Sequence, residues 1–239
     1  MRQTPNLPHA RVYRHWLKTD AWKALDGRSV RLLVHLMARW RPGAPGTIPF
    51  TDANAARVVN AHSDTAAKSV DTLRRLGFLS LHRQGGLRGP RCARPRIIEL
   101  VTYPAGRHLA PPYSRMPFGR IPEHWLALPA WRLLSPPATK LLADTLARHD
   151  DDGENLWKLD AKTVANRAGC GRVTAYRVLS ELDRVGWFCD DSASGCGEGV
   201  YSLSQFPTPY RPAEAWRYER WIPPLKLTAR KFGTERPRN

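Results

Sequence analysis

The segment Leu73-Arg74-Arg75-Leu76-Gly77-Phe78 closes a pattern that returns later in the chain as Leu182-Asp183-Arg184-Val185-Gly186-Trp187. The offset between the two is 109 residues (182 − 73 = 109), and it holds without a gap from residues 15–79 to residues 124–188. Apolar anchors recur at the same offset. We therefore expect two copies of one small fold, each long enough to bury its own core.

The composition favours a nucleic-acid partner. The chain has 239 residues and a formal net charge of +17, which a polyanion would neutralise. It has no apolar run near the ~18 residues that a membrane span requires, and residues 1–5 lack the apolar core of a signal peptide. The sequence predicts no membrane partner and a cytoplasmic location, associated with the nucleoid or a plasmid.

Each copy shows three helical patterns followed by a hairpin. In the first copy, a helix follows a cap at Asp26 or Ser29, a second helix spans Asp52–Val59 after a cap at Thr51, and a third begins at a Ser63 cap. Gly77 ends the third helix, because glycine readily adopts positive φ. Apolar stretches at residues 78–81 and 97–101 indicate the hairpin strands. The second copy predicts helices at 138–148, 160–168 and 172–185, and strands at 187–189 and 200–203.

This order predicts a mainly α fold with small β-hairpin wings, an α+β fold of two tandem winged helix-turn-helix domains. The first domain, with a basic wing, covers residues 1–103. A proline-rich, semi-rigid linker covers residues 104–119. The second domain covers residues 120–206, and a basic, aromatic tail covers residues 207–239.

Residues 63–78 resemble the recognition helix and first wing strand of bacterial winged helix-turn-helix proteins. Two such units on a short basic chain resemble the replication initiators of plasmids and phages. The resemblance implies binding to repeated origin DNA and recruitment of host replication machinery, which would be a second partner beside the DNA.

The third helix of each copy carries the candidate base-reading residues. A helix-turn-helix inserts the start of its second helix into the major groove, where base edges carry a distinct pattern of donors and acceptors. The buried stripe of the third helix leaves its hydroxyl and basic side chains facing outward. The candidates are Ser63, Thr65, Lys68 and Thr72 in the first copy, and Arg172, Thr174, Tyr176 and Arg177 in the second, where Glu181 shares the face.

The two wings differ in charge. The loop of residues 82–96 carries arginines and no acidic residue, so it is suited to tracking phosphates or entering a narrow minor groove. A merely solubilising loop is the alternative. The second loop, residues 189–199, carries Asp190, Asp191 and Glu198 and no base, and we expect it to contact the other domain, a basic partner or solvent. The predicted contacts of the first wing are Arg83, Arg88, Arg91, Arg94 and Arg96.

No pattern in the chain indicates catalysis or a bound metal. The four cysteines form no CxxC pair, and the acidic run 150–154 does not have the register of a calcium loop. We find no phosphate-binding loop and no Ser/His/Asp arrangement. We therefore expect no enzyme activity, no cofactor and no metal.

The leading interpretation is a sequence-specific double-stranded DNA-binding protein that initiates replication of a plasmid or mobile element. A transcriptional regulator on the same fold is the alternative, and a protein-binding winged-helix module is a further one. Directly repeated target sites would indicate an initiator, whereas a single palindromic site would indicate a regulator acting as a dimer. The sequence leaves open whether the protein is a monomer or a dimer.

Overall fold

The computed structural model describes residues 8–39, 47–83, 96–100, 117–149, 155–192 and 199–204. The fold is mainly helical with small antiparallel sheets, an α+β fold. Most of the predicted linker and the whole predicted tail lie outside the described residues. Within the described part of the chain, no helix has the length and apolar character needed to cross a membrane.

The two repeats have the same order of elements. The first contains β1 (His9–Tyr13), the 3-10 helix η1 (Trp16–Lys18), α1 (Asp20–Ala24), α2 (Gly27–Arg39), β2 (Thr47–Phe50), α3 (Asp52–Val59), α4 (Ser63–Arg75), β3 (Leu79–Arg83) and β4 (Arg96–Leu100). The second contains β5 (Phe118–Pro122), η2 (Glu123–Ala127), α5 (Pro129–Arg132), α6 (Pro136–Arg148), β6 (Trp157–Lys158), α7 (Ala161–Ala168), α8 (Arg172–Val185), β7 (Phe188–Asp190) and β8 (Val200–Leu203).

Side chains at the helix starts set several of these boundaries. The Asp26 carboxylate accepts a hydrogen bond from the Ser29 N–H at 2.7 Å, so Asp26 caps α2. Thr51 accepts from the Asn54 N–H, which confirms its predicted role at the start of α3. The predicted Ser63 cap is wrong: His62 occupies the cap position without a side-chain hydrogen bond, and Ser63 is the first residue of α4. Gly77 follows α4 with φ of +78°, as predicted.

Each repeat contains one three-stranded antiparallel sheet. The strand orders are β2-β4-β3 and β6-β8-β7. The pairs β3–β4 and β7–β8 confirm the two predicted hairpins. The third strands, β2 and β6, were not predicted, and each pairs with the second strand of its hairpin.

A third sheet joins the repeats to each other. Strand β1 pairs with β5 in antiparallel register, with Arg11 opposite Arg120 at the centre. These two residues are themselves equivalent in the repeat, since 120 − 11 = 109. On either side, His9 faces Pro122 while Tyr13 faces Phe118, so the pairing is the same when read from either strand. This self-complementary register is that of an interface with two-fold symmetry.

One continuous apolar core runs through both repeats. Val70 of α4 and Leu179 of α8 are 1% and 4% exposed, so the buried stripes of these helices face inward as predicted. The tryptophans that recur in the repeat, such as Trp22 and Trp131, are also buried. They pack within the core, as expected for structural anchors.

Candidate nucleic-acid interface

Helix α4 presents its predicted contact residues to solvent. Ser63 and Lys68 are exposed, and Thr65 and Thr72 are half-buried. The opposite face, Ala66, Val70 and Leu73, packs into the core. The burial of one stripe thus leaves a face with two hydroxyl groups, one ammonium group and the carboxylate of the exposed Asp64 along its first two turns.

Helix α8 presents a larger face of mixed chemistry. Arg172 and Arg177 are exposed, Thr174 is half-buried, and Tyr176 is 67% exposed. Val173, which the sequence analysis missed, is 69% exposed; it and Tyr176 are the exposed large hydrophobic side chains of the described residues. The sequence could have identified Val173 as exposed, because it lies outside the buried stripe of Ala175, Val178 and Leu182. A side chain of this kind can contact a thymine methyl group.

Glu181 does not belong to this outward face. Its carboxylate accepts hydrogen bonds from the Ser135 N–H and from the Ser135 hydroxyl, each at 2.6 Å. Ser135 in turn accepts from the Ala138 N–H at the start of α6. Because Glu181 anchors the beginning of another helix, the expectation that it faces outward with the contact residues is corrected.

The two ends of the basic wing lie in strands that the structure describes. Arg83 is the last residue of β3 and Arg96 the first of β4, and Arg83 pairs with Ile97 after a register shift. Arg88, Arg91 and Arg94 lie outside the described residues. The hairpin therefore brackets the arginine-rich segment, residues 84–95, between two paired strands.

The acidic second wing is in part structural. Asp191 is 2% exposed and accepts a hydrogen bond from the Ser202 hydroxyl, so it is held within its own sheet. Asp190 is exposed and accepts from the Ser192 N–H at 3.0 Å. Glu198 lies outside the described residues. Asp191 is therefore not available as a surface charge.

Two buried cations fix the repeats relative to each other. Lys140 of α6 donates to the carbonyls of Lys23 and Leu25, at 2.9 and 2.6 Å. Arg31 of α2 donates to the carbonyls of Arg132 and Leu134, at 3.2 and 2.5 Å. Donors and acceptors in the two sets differ by the same 109 positions, so each repeat makes the same contact with the other. Burial lowers the pKa of Lys140, and it lowers the pKa of Arg31 to about 10.

The chain matches no protein-family model, no curated protein and no solved structure. Within the described residues, no three or more His, Cys, Asp and Glu side chains are grouped as metal ligands would be.

Proposed function

We propose that the protein is a tandem winged helix-turn-helix protein that binds double-stranded DNA sequence-specifically, with α4 and α8 as its recognition helices. The order helix, strand, two helices and hairpin in each repeat supports this proposal, as does the net charge of +17. The observation that carries it is the outward face of α8, where Arg172, Tyr176 and Arg177 are exposed at the start of a helix whose other face is buried. Arginine can bind guanine through two hydrogen bonds.

The two-fold relation between the repeats sets the arrangement of the target. Two-fold symmetric helix-turn-helix dimers bind inverted half-sites, because their recognition helices are related by the same axis. Here one chain carries both helices, and the exposed faces of α4 and α8 differ. The expected target is an imperfect inverted repeat with two unlike half-sites, occupied by one chain. An inverted site would consequently not imply a dimer, in contrast to the criterion derived from the sequence.

Selection of bound duplexes from a random library tests this function. We expect the enriched sequences to contain two unlike, inverted half-sites, and sedimentation of the complex to give one chain per duplex. Binding should weaken steeply as salt rises, because phosphate contacts release counterions. Recovery of no preferred sequence, or affinity that is independent of salt, would refute sequence-specific DNA binding.

For the biological role we propose replication initiation of a plasmid or mobile element, on the resemblance of the paired units to such initiators. Footprints within a replication origin and loss of replication on deletion of the gene would support this role. Footprints over a promoter, with changed transcription on deletion, would support the alternative of a regulator. A role restricted to binding proteins is disfavoured by the first wing, which carries arginines and no acidic residue.

A further inference from the structure

The second repeat holds a buried carboxylate among cations. Asp144 of α6 is 2% exposed. Its Oδ2 lies 2.6 Å from Arg148 Nε and 3.8 Å from Arg167 Nε. Lys140, one turn earlier on α6, is close enough for Asp144 to raise its pKa, although burial lowers that pKa more strongly. A buried charge requires such partners, and here the carboxylate offsets several positive charges.

The first repeat keeps two of the three cations at equivalent positions and lacks the carboxylate. At the offset of 109 residues, Arg148 corresponds to Arg39 and Lys140 to Arg31, whereas Asp144 corresponds to His35. Arg167 corresponds to Val58, but Arg57 is the adjacent residue. The site has therefore changed its charge balance from one repeat to the other while the helices around it stayed the same.

A cleft of about 240 Å³ lies at this position, between the repeats. Arg31, His35, Arg39 and Arg57 line it from the first repeat, and Arg132 lines it from the second. None of the described residues that line it is acidic. Its apolar wall includes Phe50, Leu126 and Trp131.

Arg31, which lines this cleft, carries a buried donor without a hydrogen-bond partner among the described residues. Its side chain is 4% exposed, and its two terminal nitrogens donate to the second repeat, but its Nε has no hydrogen-bond partner within the part of the chain that the structure describes. A buried donor without a partner is costly, so such a group commonly marks a binding site. His35 is uncharged near neutral pH, since burial and the charges of Arg39 and Arg57 lower its pKa to about 4 despite the opposing effect of Glu123.

We propose that this cleft binds a small phosphate-type oxyanion, free phosphate or the phosphoryl group of a small metabolite, beside Arg31, Arg39 and Arg57. Guanidinium groups bind phosphate through pairs of hydrogen bonds, and several arginines suit a dianion. The apolar wall can accommodate a small organic body attached to the phosphoryl group. This binding is independent of the proposed DNA binding, because the cleft lies between the repeats and excludes the exposed faces of α4 and α8.

Thermal unfolding of the full chain without DNA tests the proposal, with sodium phosphate compared against sodium chloride at equal ionic strength. We expect phosphate to raise the Tm saturably, by roughly 5–10 °C at 100 times its Kd. The variant His35→Asp introduces the carboxylate of the second repeat. We expect it to be more stable than the wild type in chloride and to lose the phosphate response.

Two control variants complete the test. His35→Asn, which stays neutral, should keep the phosphate response, and so should Arg177→Ala, which lies on the DNA-facing surface of α8. Should His35→Asp fail to fold, Arg39→Gln replaces it, with an expected rise of at least about tenfold in the phosphate Kd. The proposal is overturned if phosphate and chloride give the same Tm, if phosphate stabilises His35→Asp as much as the wild type, or if a DNA duplex stabilises the wild type and free phosphate does not.

Discussion

Residues at equivalent positions of the repeat show how the exposed faces of α4 and α8 have diverged. Ser63 of α4 corresponds to Arg172 of α8, and Lys68 corresponds to Arg177. Serine and lysine suit phosphate contacts and single hydrogen bonds, whereas arginine can read a guanine edge through two. We infer that α8 contributes more to sequence discrimination than α4 does.

This difference predicts unlike effects of two matched truncations. Arg177→Ala should weaken binding to the preferred site by about 1–3 kcal/mol and relax discrimination at one base pair. Lys68→Ala should weaken binding to all sequences by a similar factor. Competition binding against single-base-pair variants of the site measures both effects. Equal losses on every sequence for Arg177→Ala would contradict the assignment of this residue to base reading.

His35 predicts a defined acid sensitivity. Its pKa falls from 6.5 to about 4 on folding, so the unfolded chain binds this proton more readily than the folded one. The stabilisation from neutral His35 is complete above pH 6.5 and is lost as the pH falls toward 4. Relative to His35→Gln, the free energy of unfolding of the wild type should therefore decrease over this window, as measured by chemical denaturation at several pH values. A difference that stays constant with pH would contradict the lowered pKa.

Gly27 marks a close approach of the two repeats. A Cβ at this position would lie 1.6 Å from the carbonyl oxygen of Pro136, its equivalent in the second repeat. Gly27→Ala must therefore shift the backbone, and we expect the free energy of unfolding to fall by about 1–3 kcal/mol. Gly171→Ala is the control, because a Cβ there meets no atom of the described residues within 4 Å. Similar stabilities of the two variants, measured in urea, would argue against this close packing.

At the scale of elements, the sequence predicted the helices whose ends are set by neighbouring residues. The spans of α3 and α8 agree with the predicted ones, and the cap at Thr51 is confirmed. The start of α4 was misjudged by one residue because Ser63, a frequent capping residue, follows a position with extended backbone, His62. Local propensity cannot decide between adjacent positions when the backbone conformation selects the cap.

The missed strands are those whose partners are distant in sequence. Strand β1 pairs with β5 in the other repeat, so the pattern of a single repeat does not contain its partner strand. Strand β2 has four residues, including Pro49, and proline is uncommon inside strands. The cleft beside His35 was also beyond sequence reasoning, because its lining residues converge from both repeats. Aligning the two repeats at their offset could have shown that Asp144 of the second repeat corresponds to His35 of the first.

The basic wing predicts a measurable contribution to the salt dependence of DNA binding. If Arg88, Arg91 and Arg94 each contact one phosphate, replacing all three with alanine should reduce the slope of log affinity against log salt by about 2.7, since each contact contributes about 0.9. Affinity should fall for all sequences alike. Asp190→Ala in the second wing is the matched control, and it should leave the slope unchanged. An unchanged slope in the triple variant would reject phosphate contacts by this wing.

At the scale of the whole molecule, the chain is organised like a symmetric dimer joined into one polypeptide. The Arg14 N–H donates to the Pro117 carbonyl, and the Glu123 N–H donates to the Pro8 carbonyl, again a pair related by 109 positions. Paired contacts of this kind also join β1 to β5, and the buried cations Arg31 and Lys140 each donate to the other repeat. The covalent link frees the two halves to diverge, which an identical dimer cannot do, and the exposed faces of α4 and α8 and the cleft show that divergence.

This organisation predicts that the repeats remain associated without the covalent link. The paired strands, the continuous core and the buried cations all join them, so a chain cleaved at a protease site inserted at residues 107–110 should elute as one species at micromolar concentration and unfold in a single transition. Lys140→Met should weaken the cleaved complex, because the carbonyls of Lys23 and Leu25 lose their donor at a cost of about 1–3 kcal/mol. Lys162→Met, on the exposed face of α7, is the control and should leave association unchanged. Separation of the cleaved wild type into two independently folded halves would show that the interface between the repeats is too weak to fix α4 and α8 relative to each other.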